Sequence, residues 1–204
     1  MSIRTLPYGP TAVMFEVDDT DSAAVLADHL RNMRVAGVVE IVPAARTVLV
    51  ECTLHARSHV VELVSTVDLD RGPVTEGALI EVPTIYDGPD LADVAARAAL
   101  SVAEVIELHA GAEYRAAFCG FAPGFVYLTG LPAALWRPRR AEPRPRVPAG
   151  SVAIGAEFTG VYPTASPGGW HLLGHTEEAM WDATRERPSF IVPGDRVRFV
   201  PVRP

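Results

Sequence analysis

The residue types best suited to chemistry lie in the second half of the chain. A glycine pair, Gly168–Gly169, stands in Ser166-Pro-Gly-Gly-Trp-His171, with Gly174-His-Thr176 close behind. Without a Cβ, such glycines let backbone N–H groups approach a developing oxyanion; the structural alternative is a barrel turn with Trp170 buried beneath it. His171 and His175 are four residues apart, so on a regular strand both point to one side. Either could act as an acid or base, or donate to a carboxylate. With Glu157 they could form a metal site, but zinc needs tighter support than this, and no metal is expected.

Arg137, Arg139, Arg140, Arg144 and Arg146 sit among five prolines between Pro132 and Pro148, opposed only by Glu142. This local positive excess could attract a carboxylate, a phosphate or an acidic partner surface, and it also reads as a stiff, solvated loop. Phe121, Phe125 and Tyr127 flank Pro123–Gly124 and offer an apolar wall, with Phe121 assigned to the core and Tyr127 to a pocket or interface. His109 follows Val102, Val105 and Ile106 on one helix face and reads as a C-terminal residue favoured by the helix dipole. Ser151 and Ser166 lack the G-x-S-x-G setting of a hydrolase nucleophile. Cys119 has no adjacent base, and Cys52 lies too far from it in sequence for a C-x-x-C site.

These residues belong to a chain of 204 residues with net charge −7, 49% hydrophobic and 21% charged, the composition of a globular protein. It has no lysine, which excludes a P-loop and Schiff-base chemistry within this chain. The acidic balance argues against nucleic acid as the main partner. No apolar run is long enough to span a bilayer and the first ten residues do not read as a signal peptide, so a cytoplasmic setting is expected.

The first hundred residues hold 7 Arg against 15 Asp and Glu, whereas the rest hold 11 against 10 and carry most of the Gly and Pro. Two domains are therefore expected, residues 1–76 and 77–204, with a boundary near Arg71–Glu76. The first reads as β-α-β-β-α-β: a strand at Thr11–Val17, a helix capped by Thr20 or Asp21 with Val25, Leu26, Leu30 and Met33 on one face, strands at Val38–Val42 and Thr47–Cys52, a helix at Arg57–Val67, and a closing strand at Ala78–Ile85. That order is the ferredoxin-like motif. The second domain opens with helices at Asp90–Ala99 and Ser101–Ala110, the latter with a Ser101/Glu104 capping box. Short strands follow at Tyr114–Phe118, Val152–Ile154, Trp170–Leu173, Phe190–Val192 and Arg196–Val200, a pattern that suggests a compact barrel.

The ordered segments "YDGPDL", "GF-PGF-YL", "RVPAGSVAI", "SPGGW" and "PGDRVRF" resemble the PxpB/KipI family, the small subunit of bacterial ATP-dependent 5-oxoprolinase, known also as allophanate hydrolase subunit 1 or as the C/D part of a carboxyltransferase domain. The resemblance covers essentially the whole chain and implies an α+β fold, a small N-terminal α/β domain followed by a cyclophilin-like β-barrel. It implies a hydrolase subunit, inactive alone, that opens 5-oxoproline to L-glutamate with ATP shared among subunits. Its partners would be a KipA/PxpC-type large subunit and a lactam-amidohydrolase third component. Two other readings stay open: half of a biotin-dependent urea carboxylase-like carboxyltransferase, and a KipI-like inhibitor of a sensor histidine kinase.

Within this frame Arg146 is assigned to anion binding, the Gly168 and Gly169 amides to oxyanion stabilisation and His171 to proton transfer. Ser151, Trp170, His175 and Tyr127 are assigned to substrate binding, and Arg137, in the looser part of the loop, is expected to be near neutral on mutation. Two departures stand out: His175 replaces the family's usual Arg, and Glu157 introduces a carboxylate.

Overall fold

The computed structural model describes residues 2–71 and 77–203, so most of the expected boundary at Arg71–Glu76 lies outside the described residues. The chain divides into two compact units, Met1–Thr75 and Glu76–Pro204.

In the first unit, β1 (Arg4–Pro7), β2 (Ala12–Glu16), β3 (Val38–Pro43) and β4 (Thr47–Cys52) form an antiparallel sheet in the order β1-β2-β4-β3. Helices α1 (Thr20–Met33) and α2 (Arg57–Val64) complete the unit. Alternate residues Val13 and Phe15 of β2 and Val48 and Val50 of β4 point inward and meet Leu26 and Leu30 of α1 and Val60 of α2 in one core. Residue Asp19, rather than Thr20 or Asp21, caps α1, because its extended backbone lets the carboxylate accept the Ser22 N–H. Met33, expected on the buried face, is exposed where α1 ends at left-handed Arg34.

The ferredoxin-like reading needs one correction. The strand expected to close the first unit's sheet is present as β5 (Leu79–Thr84), but it pairs in parallel with the last strand of the second unit. The place of a fourth strand beside β2 is taken instead by β1, from the start of the chain. The sheet order is thus the ferredoxin-like one, permuted. A four-residue strand at an exposed edge leaves little pattern from which to read it.

The second unit contains β5, α3 (Leu91–Ala98), α4 (Val102–Gly111), β6 (Tyr114–Cys119), β7 (Val126–Thr129), β8 (Arg144–Val147), β9 (Ser151–Gly155), β10 (Phe158–Val161), β11 (Ser166–Gly168), β12 (His171–His175) and β13 (Arg196–Pro201). Its main sheet runs β12-β9-β10-β7-β6-β13-β5, and β8 and β11 form a separate ribbon. The two edges of the main sheet meet at Ile85 and His175, whose backbones exchange two 2.9 Å hydrogen bonds. That pair brings the sheet round into a barrel filled by residues such as Tyr114, Leu128, Ile154, Leu173 and Phe199. Gly174 is required at this closure, since a Cβ there would overlap the backbone of Ile85.

Phe190–Val192, expected as a strand, is instead a turn. Its Val192 N–H goes to the buried carboxylate of Asp195, which also accepts from Arg187 and from the Ala78 N–H, so that donor is withdrawn from any ladder. The "PGDRVRF" segment therefore begins as a carboxylate-anchored turn and continues as β13.

Candidate functional site

The arginine loop is fixed by a carboxylate that the sequence reading did not single out. Asp90 sits at the N-terminus of α3 but makes no side-chain cap, and it is only 4% exposed. Its Oδ1 accepts from Arg140 Nη1 at 3.0 Å and Arg144 Nη2 at 2.7 Å, and its Oδ2 accepts the Leu172 N–H at 2.7 Å. Burial alone would raise the Asp90 pKa, but these bonds and the two guanidinium charges outweigh it and hold the carboxyl below its usual range.

Beside this anchor is a cavity of about 480 Å³ lined by Asp93, Arg97, Arg137, Arg139, Arg140 and His171, among others. Arg137 is pinned through its backbone, which bonds Ala156 in both directions at 3.2 and 2.6 Å, and its Nη1 donates to Trp136 O at 2.6 Å. Its Nε and Nη2 are buried with no acceptor among the described residues, as are Arg140 Nε and Arg144 Nη1. His171 is 8% exposed and lies 3.0 Å through Nε2 from the Pro138 carbonyl oxygen. A carbonyl only accepts, so Nε2 carries the proton, and Nδ1, which has no partner, is the acceptor atom of the neutral ring.

The glycine pair adjoins the same loop. The Gly169 carbonyl accepts the Arg140 N–H at 2.8 Å, and Gly168 pairs across the ribbon with Arg144. A Cβ on Gly168 would overlap the Tyr162 hydroxyl. That hydroxyl already accepts the Trp170 N–H, and burial raises its pKa. Trp170 lies buried, in edge-to-face contact with Phe125 and Tyr127. Tyr127 is half-buried and stacks on Phe118 with ring centroids 4.4 Å apart.

The structure separates the remaining site candidates from this group. Arg146 is exposed on β8, makes no side-chain hydrogen bond or ion pair among the described residues, and does not line the cavity. His171 and His175 do not share a side, because a bulge between Leu172 and Gly174 inserts one residue and reverses the alternation. His175 is half-buried, pairs with Asp87 through Nδ1 at 2.9 Å, and lines a separate cavity of about 60 Å³. Ser151 is buried opposite His175 in the sheet. No cluster of three His, Cys, Asp or Glu placed to hold a metal is found among the described residues.

Two further expectations are corrected. Phe121 is 59% exposed rather than in the core, because its left-handed backbone (φ +69°) turns the ring outward against Phe125 and Tyr162. His109 is not a solvated helix-end cation but a fully buried neutral ring. Thr159 Oγ1 donates to Ala153 O, so it accepts from His109 Nε2 at 2.9 Å, and Tyr86 OH donates to Nδ1 at 2.7 Å. Burial lowers its pKa from 6.5 to about 3.

Asp90, Arg137, Arg140 and Arg144 are thus the residues that assemble the site, and Asp90 was visible in sequence only as the second aspartate of "YDGPDL" and the first residue of the expected helix. In the N-terminal unit, a cavity of about 430 Å³ is lined mainly by Ile3, Val61, Val64, Val67 and Leu69, with no basic group among the described residues that line it.

A family model described as the carboxyltransferase domain, subdomain C and D, matches residues 3–191. The B subunit of 5-oxoprolinase from Escherichia coli O157:H7 is 42% identical over 212 residues, covering 97% of this chain and 95% of that protein. The crystal structure of TTHA0988 matches with a TM-score of 0.80 at 36% identity, over 95% of this chain and 40% of the other. The Kluyveromyces lactis urea amidolyase matches with a TM-score of 0.74 over 98% of this chain and 15% of its own, and at 17% identity that likeness is one of fold alone.

Proposed function

The chain belongs to the carboxyltransferase subdomain C and D family, and from that premise we propose that it is the B subunit of an ATP-dependent 5-oxoprolinase, active only in complex. An identity of 42% over nearly the full length of a protein of that name carries the reading. The arginine-lined cavity supports it, because 5-oxoproline is an anion that must be held while its ring is opened. In the reaction proposed, an unstrained lactam is too poor an electrophile for water. Transfer of the γ-phosphoryl group of ATP to the lactam oxygen makes the ring carbon electrophilic and releases ADP. Water then adds to that carbon and the C–N bond breaks, the nitrogen taking up a proton, to leave γ-glutamyl phosphate. A second water displaces phosphate from this acyl phosphate and L-glutamate results.

The chain supplies no lysine-based phosphate cradle, so ATP is proposed as a substrate of the assembled complex, shared with a KipA/PxpC-type large subunit and a lactam-amidohydrolase third component. The proposed setting is the cytoplasm; no helix among the described residues is long and apolar enough to cross a membrane. For the carboxyltransferase reading, biotin would have to arrive on a separate protein, since this chain has no lysine to carry it.

The test is assembly. Co-expressed with both partners, the chain should co-elute with them and the complex should form ADP and L-glutamate in equal amounts. Independent elution of all three proteins at micromolar concentration, with no glutamate formed, would contradict the proposal.

A further inference from the structure

Resting on that reading, we infer that Arg137 and His171 form the receptor for the substrate itself, gripping a carboxylate and the amide N–H beside it in the cavity next to α3. With Nη1 committed to Trp136, the two unpartnered nitrogens of Arg137, Nε and Nη2, form the other edge of the guanidinium. Their hydrogens point the same way, at the spacing of the two oxygens of a carboxylate. Both atoms are buried, where an N–H without an acceptor is costly, and one carboxylate satisfies the two together. The fork is held in place by the double backbone bond of Arg137 to Ala156.

His171 adds the complementary requirement. Its Nε2 proton is committed to Pro138, which leaves Nδ1 as a buried acceptor with no donor. A ligand that completes the site therefore carries a hydrogen-bond donor, such as an N–H, as well as an oxyanion. Arg97 is paired with Asp93 and Arg140 with Asp90, so Arg137 and Arg139 against Glu142 leave the cavity net positive and favour a negative ligand. Phosphate could fill the fork, but its donors are O–H groups of the anion itself rather than a separate N–H beside it. A five-membered lactam with its carboxylate on the carbon next to the ring nitrogen supplies both groups.

The experiment is calorimetric titration of the whole isolated chain with 5-oxo-L-proline, with 2-pyrrolidinone (the same ring without the carboxylate) and with inorganic phosphate. Binding of 5-oxo-L-proline is expected to exceed that of 2-pyrrolidinone by roughly ten- to hundredfold, the usual worth of a hydrogen-bonded charge. Arg137→Gln and Arg137→Lys should each lose a similar factor with little change in melting temperature, the lysine variant because it keeps the charge but not the fork. His171→Phe should weaken 5-oxo-L-proline and leave any binding of phosphate unaltered.

Equal binding of lactam and lactam acid, phosphate binding as tightly as 5-oxo-L-proline, or a loss on Arg146→Gln instead of on Arg137→Gln would overturn the inference. In the assembled complex, Arg137→Gln should raise KM for 5-oxo-L-proline. Turnover with an unchanged KM would remove this site and leave the proposed function standing. Binding through Arg137 in a complex that never opens the ring would remove the function and leave the site.

Discussion

The carboxylate of Asp90 accepts a 2.7 Å hydrogen bond from Arg144 Nη2 while its second oxygen holds the Leu172 N–H, so one buried side chain ties the arginine loop to strand β12. Removing one partner of a buried ion pair leaves the others uncompensated. Asp90→Ala should therefore cost about 3 kcal/mol, the lower end of the usual range because both arginines are partly exposed. The folded-state pKa of Asp90 lies below its unfolded value. Its contribution is thus complete above about pH 4 and is lost as pH falls through the folded pKa. Urea denaturation at neutral pH and near pH 3 should show a gap between native protein and Asp90→Ala that narrows in acid.

His109 gives an acid sensitivity that begins at higher pH. Its folded pKa is about 3, so the unfolded chain takes up a proton below about pH 6.5 and the native state does not. Stability should fall by up to about 1.4 kcal/mol per pH unit between pH 6 and 4 from this residue. In His109→Gln that part of the slope should vanish, even though the variant starts less stable. Equal slopes in the two proteins would mean that the ring is not buried neutral.

Barrel closure depends on a position without a side chain. In Gly174→Ala the new methyl meets the backbone of Ile85 and Tyr86, which cannot move aside as a flexible side chain would. A loss of about 1–3 kcal/mol or more is expected, readable as a lowered urea midpoint. A variant as stable as the native protein would contradict the close approach of these strands.

The His175–Asp87 pair should matter much less to stability. Asp87 is 58% exposed at its side chain, and the closure at His175 runs through backbone atoms. His175→Gln should cost no more than about 1 kcal/mol. A larger loss in the urea midpoint would assign the side chain a structural role that its exposure does not suggest.

Local pattern made much of the fold legible. The Ser101/Glu104 capping box forms as read, both helices of each unit lie where apolar spacing places them, and the β-branched runs at Val38 and Thr47 pair as a hairpin. What escaped depends on partners far away in sequence. Asp90 meets Arg144 across 54 positions and Leu172 across 82, and nothing local marks it as an anchor rather than a helix cap. Arg137 and Arg146 look alike in a Pro-rich run, and only the backbone pairing with Ala156 distinguishes a pinned fork from an exposed side chain. A single extra residue at the β12 bulge undid the expected alignment of His171 with His175. The ring of His109 looked like a helix-end cation because Thr159 and Tyr86, which hold it neutral, lie 50 and 23 residues away.

The central claim is that this chain is an obligatory component of a lactam-opening complex. Its most direct test is an omission experiment: ATP-dependent formation of L-glutamate from 5-oxo-L-proline, measured with the two partner subunits alone, with this chain alone and with all three. Glutamate should appear only in the complete mixture and should titrate to a plateau at a fixed ratio of this chain to its partners. Equal rates with and without the chain, or turnover by the chain alone, would contradict the account.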